Sequence, residues 1–183
     1  LHVRSRRQRQ MCIRDSHTEY KGFTYLIQAS KLLDGRFLIY ITGTGELTEK
    51  LHEEANDDKK VVFTGRIDDM ELKALILASD IFCFPSITKN EAFGLALAEG
   101  MYYGKPAVTF TIPGSGVNYV SINGETGIEV ENRNVKKYAE AMKKLADDAE
   151  LREKYGDAGR KRVEENFLST QFCENARRMF SRL

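Results

Sequence analysis

The sequence has no tryptophan, only three prolines, three cysteines and three histidines in 183 residues. Cys12, Cys83 and Cys173 stand far apart and form no C-x-x-C pair. That spacing argues against a disulfide framework and against a zinc cluster. No apolar run approaches the roughly 20 residues needed to cross a bilayer. No signal-peptide pattern opens the chain either, so a cytoplasmic location is expected. No sign of charge dominates, with 28 basic against 27 acidic residues. What is present is a composition of 42% hydrophobic and 30% charged residues, which reads as globular and not disordered. A chain of this length buries roughly 70% of its unfolded surface and supports one α/β domain without staples.

Residues 1–16, LHVRSRRQRQMCIRDS, stand apart. Arg4, Arg6, Arg7, Arg9 and Arg14 face one acid, Asp15, so this stretch carries +4 and leaves −3 for the remainder of a chain whose net charge is +1. One reading is a basic arm for nucleic acid or an anionic membrane. The favoured reading is a disordered or non-native leader, because Met11–Ser16 (MCIRDS) resembles translated adapter or vector sequence. No aromatic residue interleaves the arginines as a single-strand binder requires, and no nucleic-acid partner is expected. The domain proper is therefore set at residues 17–183.

From residue 22 onward, strand and helix patterns alternate. Phe23, Leu26, Ile27 and Leu33 suit one helix face. Phe37–Ile41 is a continuous apolar run, as in a parallel strand buried on both faces. Helix 46–55, strand 61–63 ending at Gly65, helix 70–78 and strand 81–84 closed by Pro85 follow. A helix over 93–103 stops at Gly104 with Pro106 beyond, and strands at 107–110 and 127–130 complete the alternation. Val135, Tyr138, Met142 and Leu145 mark an amphipathic helix. A weaker one over 151–163 is loosened by Gly156 and Gly159, and a last one carries Phe172, Ala176, Met179 and Phe180. The fold class is a Rossmann-like, doubly wound parallel sheet with C-terminal helices. The basic, polar residues before the first helix do not suit a buried central strand, so the first strand of the fold is expected to be missing.

Ligands of such sheets bind at the carboxyl ends of the strands. The loops 85–94 and 111–118 hold the most unusual chemistry there. Glu99 sits in a helix that reads as apolar nearly all round, and a buried carboxylate needs partners. The two hydroxyls of a ribose would satisfy it, because a carboxylate only accepts and a vicinal diol offers two donors. Glu91 precedes the helix, where it either favours the dipole or binds sugar hydroxyls. Between them, the N–H groups near Phe93, Gly94 and Leu95 form a ready phosphate site. The bland alternatives are a cap for Glu91 and a surface position for Glu99. The ordered context, strand, Pro-Ser, Glu, Phe-Gly-Leu, Glu, Gly-Lys-Pro, strand, favours function.

This segment resembles the E-x7-E motif of the retaining GT-B glycosyltransferases of family 4. The likeness runs from Glu19-Tyr20-Lys21-Gly22 to the region of Phe167, through Gly43-Thr44-Gly45-Glu46-Leu47, Val62-Phe63-Thr64-Gly65, Ser79-Asp80, Pro85-Ser86 and Asn123-Gly124-Glu125-Thr126-Gly127. It covers only the C-terminal, donor-binding half of the two-domain enzyme. The resemblance implies that Glu91 holds hydroxyls of the donor sugar, that Glu99 holds the ribose, and that the backbone at Phe93, Gly94 and Leu95 meets the diphosphate. Lys21 looks like the lysine of the family's R-x4-K pair; its arginine would fall at position 16, where Ser16 stands. Gly65, Arg66 and Ile67 would flank the base, with Gly43 and Gly45 on the nucleotide side. For Arg66 an exposed loop position is an equal alternative. The glycines of Ile112–Asn118 either allow close approach to the donor or simply make a turn.

The expected reaction is transfer of a sugar from a nucleotide-diphosphate sugar, UDP-linked by analogy, to an acceptor glycan, lipid-linked sugar or small molecule held by an N-terminal domain. No D-x-D occurs, and Asp57-Asp58, Asp68-Asp69 and Asp147-Asp148 read as solvated acids, so neither metal nor cofactor is expected. The domain alone is expected to be inactive. In the complete enzyme, lipid-linked acceptors would allow a peripheral position on the inner membrane face. The alternative function is a non-catalytic nucleotide- or sugar-binding module, such as a subunit of a split protein. A dinucleotide oxidoreductase is disfavoured, because Gly43-Thr44-Gly45 lacks the last glycine of G-x-G-x-x-G, where Thr48 stands.

Overall fold

The computed structural model describes residues 9–14 and 16–168. Among the described residues, six parallel strands alternate with seven α-helices. The strands are β1 Arg9–Arg14, β2 Phe37–Thr42, β3 Val61–Gly65, β4 Ile81–Phe84, β5 Ala107–Phe110 and β6 Gly127–Val130. The helices are α1 Phe23–Ser30, α2 Thr48–Ala55, α3 Asp69–Ala78, α4 Leu95–Tyr102, α5 Val117–Val120, α6 Val135–Asp147 and α7 Ala149–Asn166, with a single 3-10 turn at Glu19–Lys21. The order across the sheet is β3-β2-β1-β4-β5-β6, that of a doubly wound dinucleotide-binding sheet. The expected fold class is therefore the observed one.

The expectation of a missing first strand is corrected. Arg9–Arg14 forms β1, in the middle of the sheet, in register with Phe37–Thr42 of β2. On its other edge it pairs with β4 only through Met11 and Cys12. The doubly flanked stretch is thus two residues long, inside the apolar triplet Met11-Cys12-Ile13. The arginines at 9 and 14 lie beyond it, which is how so basic a segment serves as a central strand. Within residues 1–16, Arg9–Arg14 is therefore ordered as a strand, while residues 1–8 and 15 lie outside the described residues. So does the expected last helix around Phe172–Phe180.

The continuous apolar runs behave as parallel strands should. Every residue of β4 and β5 is buried. α1 packs Phe23, Leu26 and Ile27 into the core, and α6 packs Tyr138, Met142 and Leu145. The Tyr138 hydroxyl, fully buried, donates to the Val108 carbonyl at 2.8 Å, so its burial leaves no orphan polar group. Gly156 and Gly159 do not loosen α7, which is continuous over Ala149–Asn166. A Cβ on Gly156 would stand 2.2 Å from the Gly104 carbonyl, so the glycine lets α7 close on the end of α4. No helix among the described residues is long and apolar enough to cross a membrane.

Candidate functional site

The topology reverses between β1 and β4, and at that switch point the carboxyl ends of the strands open a cavity of about 860 Å³. Four strands deliver its walls. Ser16 follows β1, Thr42 ends β2 with Gly43 and Thr44 after it, Arg66 and Ile67 follow β3, and the loop from β4 brings Asn90–Gly94.

Lys21 and Glu91 lie at its base. The two elements that carry them are pressed together by backbone contacts. Ile87 N–H donates to the Tyr20 carbonyl at 2.9 Å. Gly22, at φ +67, leaves no room for a side chain, since a Cβ there would stand 2.1 Å from the Pro85 carbonyl. The result is a buried ion pair: Lys21 Nζ donates to Glu91 Oε2 at 2.5 Å, with side-chain exposures of 8% and 11%. Ser86 Oγ donates to the same oxygen at 3.2 Å. The Glu91 carboxylate is therefore directed at Lys21 and Ser86 and is not a helix cap.

Behind Glu91 stands a brace. Ser115 Oγ donates to the Glu91 carbonyl, and Gly116 N–H donates to the Ala92 carbonyl at 2.8 Å. A Cβ on Gly116 would stand 2.6 Å from that Ala92 carbonyl. Both readings of the Ile112–Asn118 glycines gain a third here: Gly116 permits close approach of the protein to itself.

α4 begins at Gly94, whose φ of 89° and ψ of 56° favour glycine. No side chain caps this terminus, and Phe93, Gly94, Leu95 and Ala96 line the cavity. Its first-turn N–H groups are available to an anion. Glu99, in the second turn of α4, also lines the cavity and is half-buried. The burial expected of this nearly all-apolar helix holds for one face only. Leu97, Ala98, Gly100 and Met101 face the core, but Leu95 is 77% exposed and Tyr102 is also exposed. The helix reads as uniformly apolar because its cleft face carries a leucine.

Of the sequence-derived candidates, Lys21, Gly43, Arg66, Ile67, Glu91, Phe93, Gly94, Leu95 and Glu99 line this one cavity. Gly45 and Gly65 do not. Gly45 packs against the His17 backbone, where a Cβ would stand 2.6 Å from the nitrogen. Gly65, at φ +67, accepts from Gly43 N–H at 2.8 Å and so shapes the wall from behind. Arg66 Nε donates to Thr44 Oγ1 at 3.2 Å across the rim. Thr42, Leu72, Asn90, Ala92 and Ala96 line the cavity without having been singled out by sequence, and so do Ser16, named there only as standing in the arginine's place, and Thr44, named only within a motif. For Ser16, Thr42 and Thr44, positions at or just past strand ends were the available signal. His17 also escaped notice. It is buried beneath the 43–45 loop, its Nδ1 lies 2.9 Å from Thr48 Oγ1, and its ring meets the edge of Phe23. Burial pushes its pKa down, the Thr42 backbone works against that, and His52 adds to the lowering.

The sequence pattern of the family described as "Glycosyl transferases group 1" matches residues 7–162. The chain belongs to that family. The chain is 34% identical over 152 residues to the D-rhamnosyltransferase WbpZ of Pseudomonas aeruginosa, covering 82% of this chain and 39% of that protein. It is 29% identical over 157 residues to the O-antigen chain mannosyltransferase C of Escherichia coli, covering 85% of this chain and 42% of that protein. The chain thus spans about two-fifths of the length of these relatives. In fold it is similar to Anabaena HepE, solved in complex with UDP, with a TM-score of 0.87 at 18% identity over 97% of this chain and 50% of that one. It is also similar to the C-terminal domain of the group 1 glycosyl transferase LpcC from Francisella tularensis, with a TM-score of 0.76 at 21% identity over 91% of this chain and 95% of that one.

Proposed function

We propose that this glycosyltransferase chain is the C-terminal, donor-binding half of a retaining GT-B enzyme of family 4. It binds a nucleotide-diphosphate sugar, UDP-linked in our reading, and works with an N-terminal half that holds an acceptor glycan, lipid-linked sugar or small molecule. The observation that carries this reading is the convergence of Lys21, Glu91, Glu99 and the uncapped N-terminus of α4 on one cavity. The Francisella C-terminal domain, matched over 95% of its length, supports the assignment to that half. The UDP in the Anabaena structure supports the choice of base.

In this reading the ribose diol donates to Glu99, and the diphosphate lies against the α4 terminus and Lys21. Sugar hydroxyls donate to Glu91, and the base lies toward Arg66 and Ile67. Retaining transfer requires the anomeric C–O bond to ionise as the diphosphate departs, so the protein must stabilise negative charge on the leaving group. Lys21 and the α4 N–H groups supply that without a metal. The 183-residue chain is expected to bind donor and not to transfer sugar.

Calorimetric titration of the chain with UDP, GDP and ADP tests this. Saturable UDP binding that Glu99→Gln weakens by about 1–3 kcal/mol is the expected result. Binding of GDP or ADP instead keeps the site and changes the base. Absence of binding to all three refutes the donor-site reading, as sugar transfer by the chain alone refutes its inactivity.

A further inference from the structure

The Lys21–Glu91 ion pair joins two groups that the proposed donor site assigns to different parts of one ligand. Lys21 meets the diphosphate and Glu91 the sugar, yet here the two face one another at 2.5 Å, both withdrawn from water. The Lys21 ammonium also lies 5.0 Å from the Tyr20 ring and 5.8 Å from the Phe84 ring. A buried ammonium held by a buried carboxylate presents an incoming diphosphate with a dipole in place of a full cation.

We propose that Glu91 is the residue by which this site distinguishes the loaded nucleotide sugar from the spent nucleoside diphosphate. The inference rests on the donor-site reading above. When a sugar is present, its hydroxyls donate to the Glu91 carboxylate, which can only accept. Glu91 then has partners other than Lys21, and the Lys21 charge turns to the diphosphate. Once the sugar has left, Glu91 loses those donors and takes Lys21 back. Its competition for the ammonium weakens the hold on the product. Ser86 keeps the carboxylate within reach throughout, since it donates to the oxygen that Lys21 uses. The brace from Ser115 and Gly116 fixes the backbone beneath it.

The test is titration with UDP, or with GDP if that is the nucleotide the wild type binds, of wild type, Glu91→Gln, Lys21→Met and the double variant. Glu91→Gln keeps an acceptor oxygen for Lys21 but removes the charge. It is expected to bind the free nucleoside diphosphate at least about tenfold more tightly than wild type, the low end of the scale of a close charge pair. In the Lys21→Met background the same change is expected to give no gain. Unchanged or weaker binding by folded Glu91→Gln overturns the inference. If Glu91→Gln does not fold, Glu91→Asp replaces it, because a carboxylate drawn back by one methylene should shift affinity in the same direction; no gain there overturns the inference equally. Wild type that binds none of UDP, GDP or ADP overturns the donor-site reading and this inference with it. Wild-type binding without the gain overturns this inference alone.

Discussion

Lys21 Nζ and Glu91 Oε2 stand 2.5 Å apart although 70 residues separate them in sequence. Neither charge has much water to fall back on, so removing one strands the other. Lys21→Met is expected to destabilise the fold by about 3–5 kcal/mol, and Lys21→Met combined with Glu91→Leu to recover most of that loss. Urea midpoints of the three proteins measure both effects. A single variant as stable as wild type would show that the pair is not buried in solution.

Gly22 should tolerate no side chain. Alanine there would combine a left-handed backbone with a Cβ at 2.1 Å from the Pro85 carbonyl. A loss of roughly 2–5 kcal/mol is expected for Gly22→Ala. Gly35→Ala, at a site with nothing within 4 Å, should stay within about 0.5 kcal/mol of wild type. Thermal melts of the two decide.

The brace behind Glu91 makes a different kind of prediction. Gly116 has φ −73 and ψ −9, a conformation alanine adopts freely, so Gly116→Ala acts through space alone. Its Cβ would push on the Ala92 carbonyl. The cost is about 1–3 kcal/mol, and the displaced backbone is that of Glu91–Phe93. UDP titration should therefore show weakened binding in a protein that still melts cooperatively. Wild-type affinity in Gly116→Ala would show that the Glu91 loop repacks without consequence.

His17 gives a pH dependence of fixed sign. Its folded-state pKa is lowered, chiefly by burial. Between that value and the unfolded value of about 6.5, the unfolded chain holds a proton that the folded chain does not. The contribution is fully present above about pH 6.5 and is lost as pH falls below it. Urea midpoints measured from pH 7.5 down to 5 should decline, and His17→Gln should flatten that segment of the curve. A midpoint that rises on acidification over this range would contradict the assignment.

Strands β2 and β4 were legible because Phe37–Ile41 and Ile81–Phe84 are unbroken apolar runs of strand length, as a doubly covered parallel sheet requires, and β5 because Ala107–Phe110 is broken only by Thr109. The stripe of α6 was equally plain. β1 was not, because Met11-Cys12-Ile13 is too short to outweigh the arginines around it. α5, one turn over Val117–Val120, has no period to read. At the site, ordered motifs brought most of the lining residues to notice. They did not reveal that Lys21 and Glu91 touch, because that contact depends on Gly22 meeting Pro85 and on Tyr20 meeting Ile87. The exposure of Leu95 is not legible for a simpler reason: composition cannot distinguish an apolar face on a core from one on a cleft.

β1 is the seam of the sheet. β2 and β3 lie on one side, β4, β5 and β6 on the other, and neither group hydrogen-bonds the other except through Arg9–Arg14. Cutting the seam would leave a two-stranded ribbon, marginal in water by itself, beside a three-stranded remnant. The cavity would be divided along the same line, with Arg66 and Thr44 on one piece and Glu91 and Glu99 on the other. Six residues near the start of the chain thus decide whether the two walls of the site belong to one body.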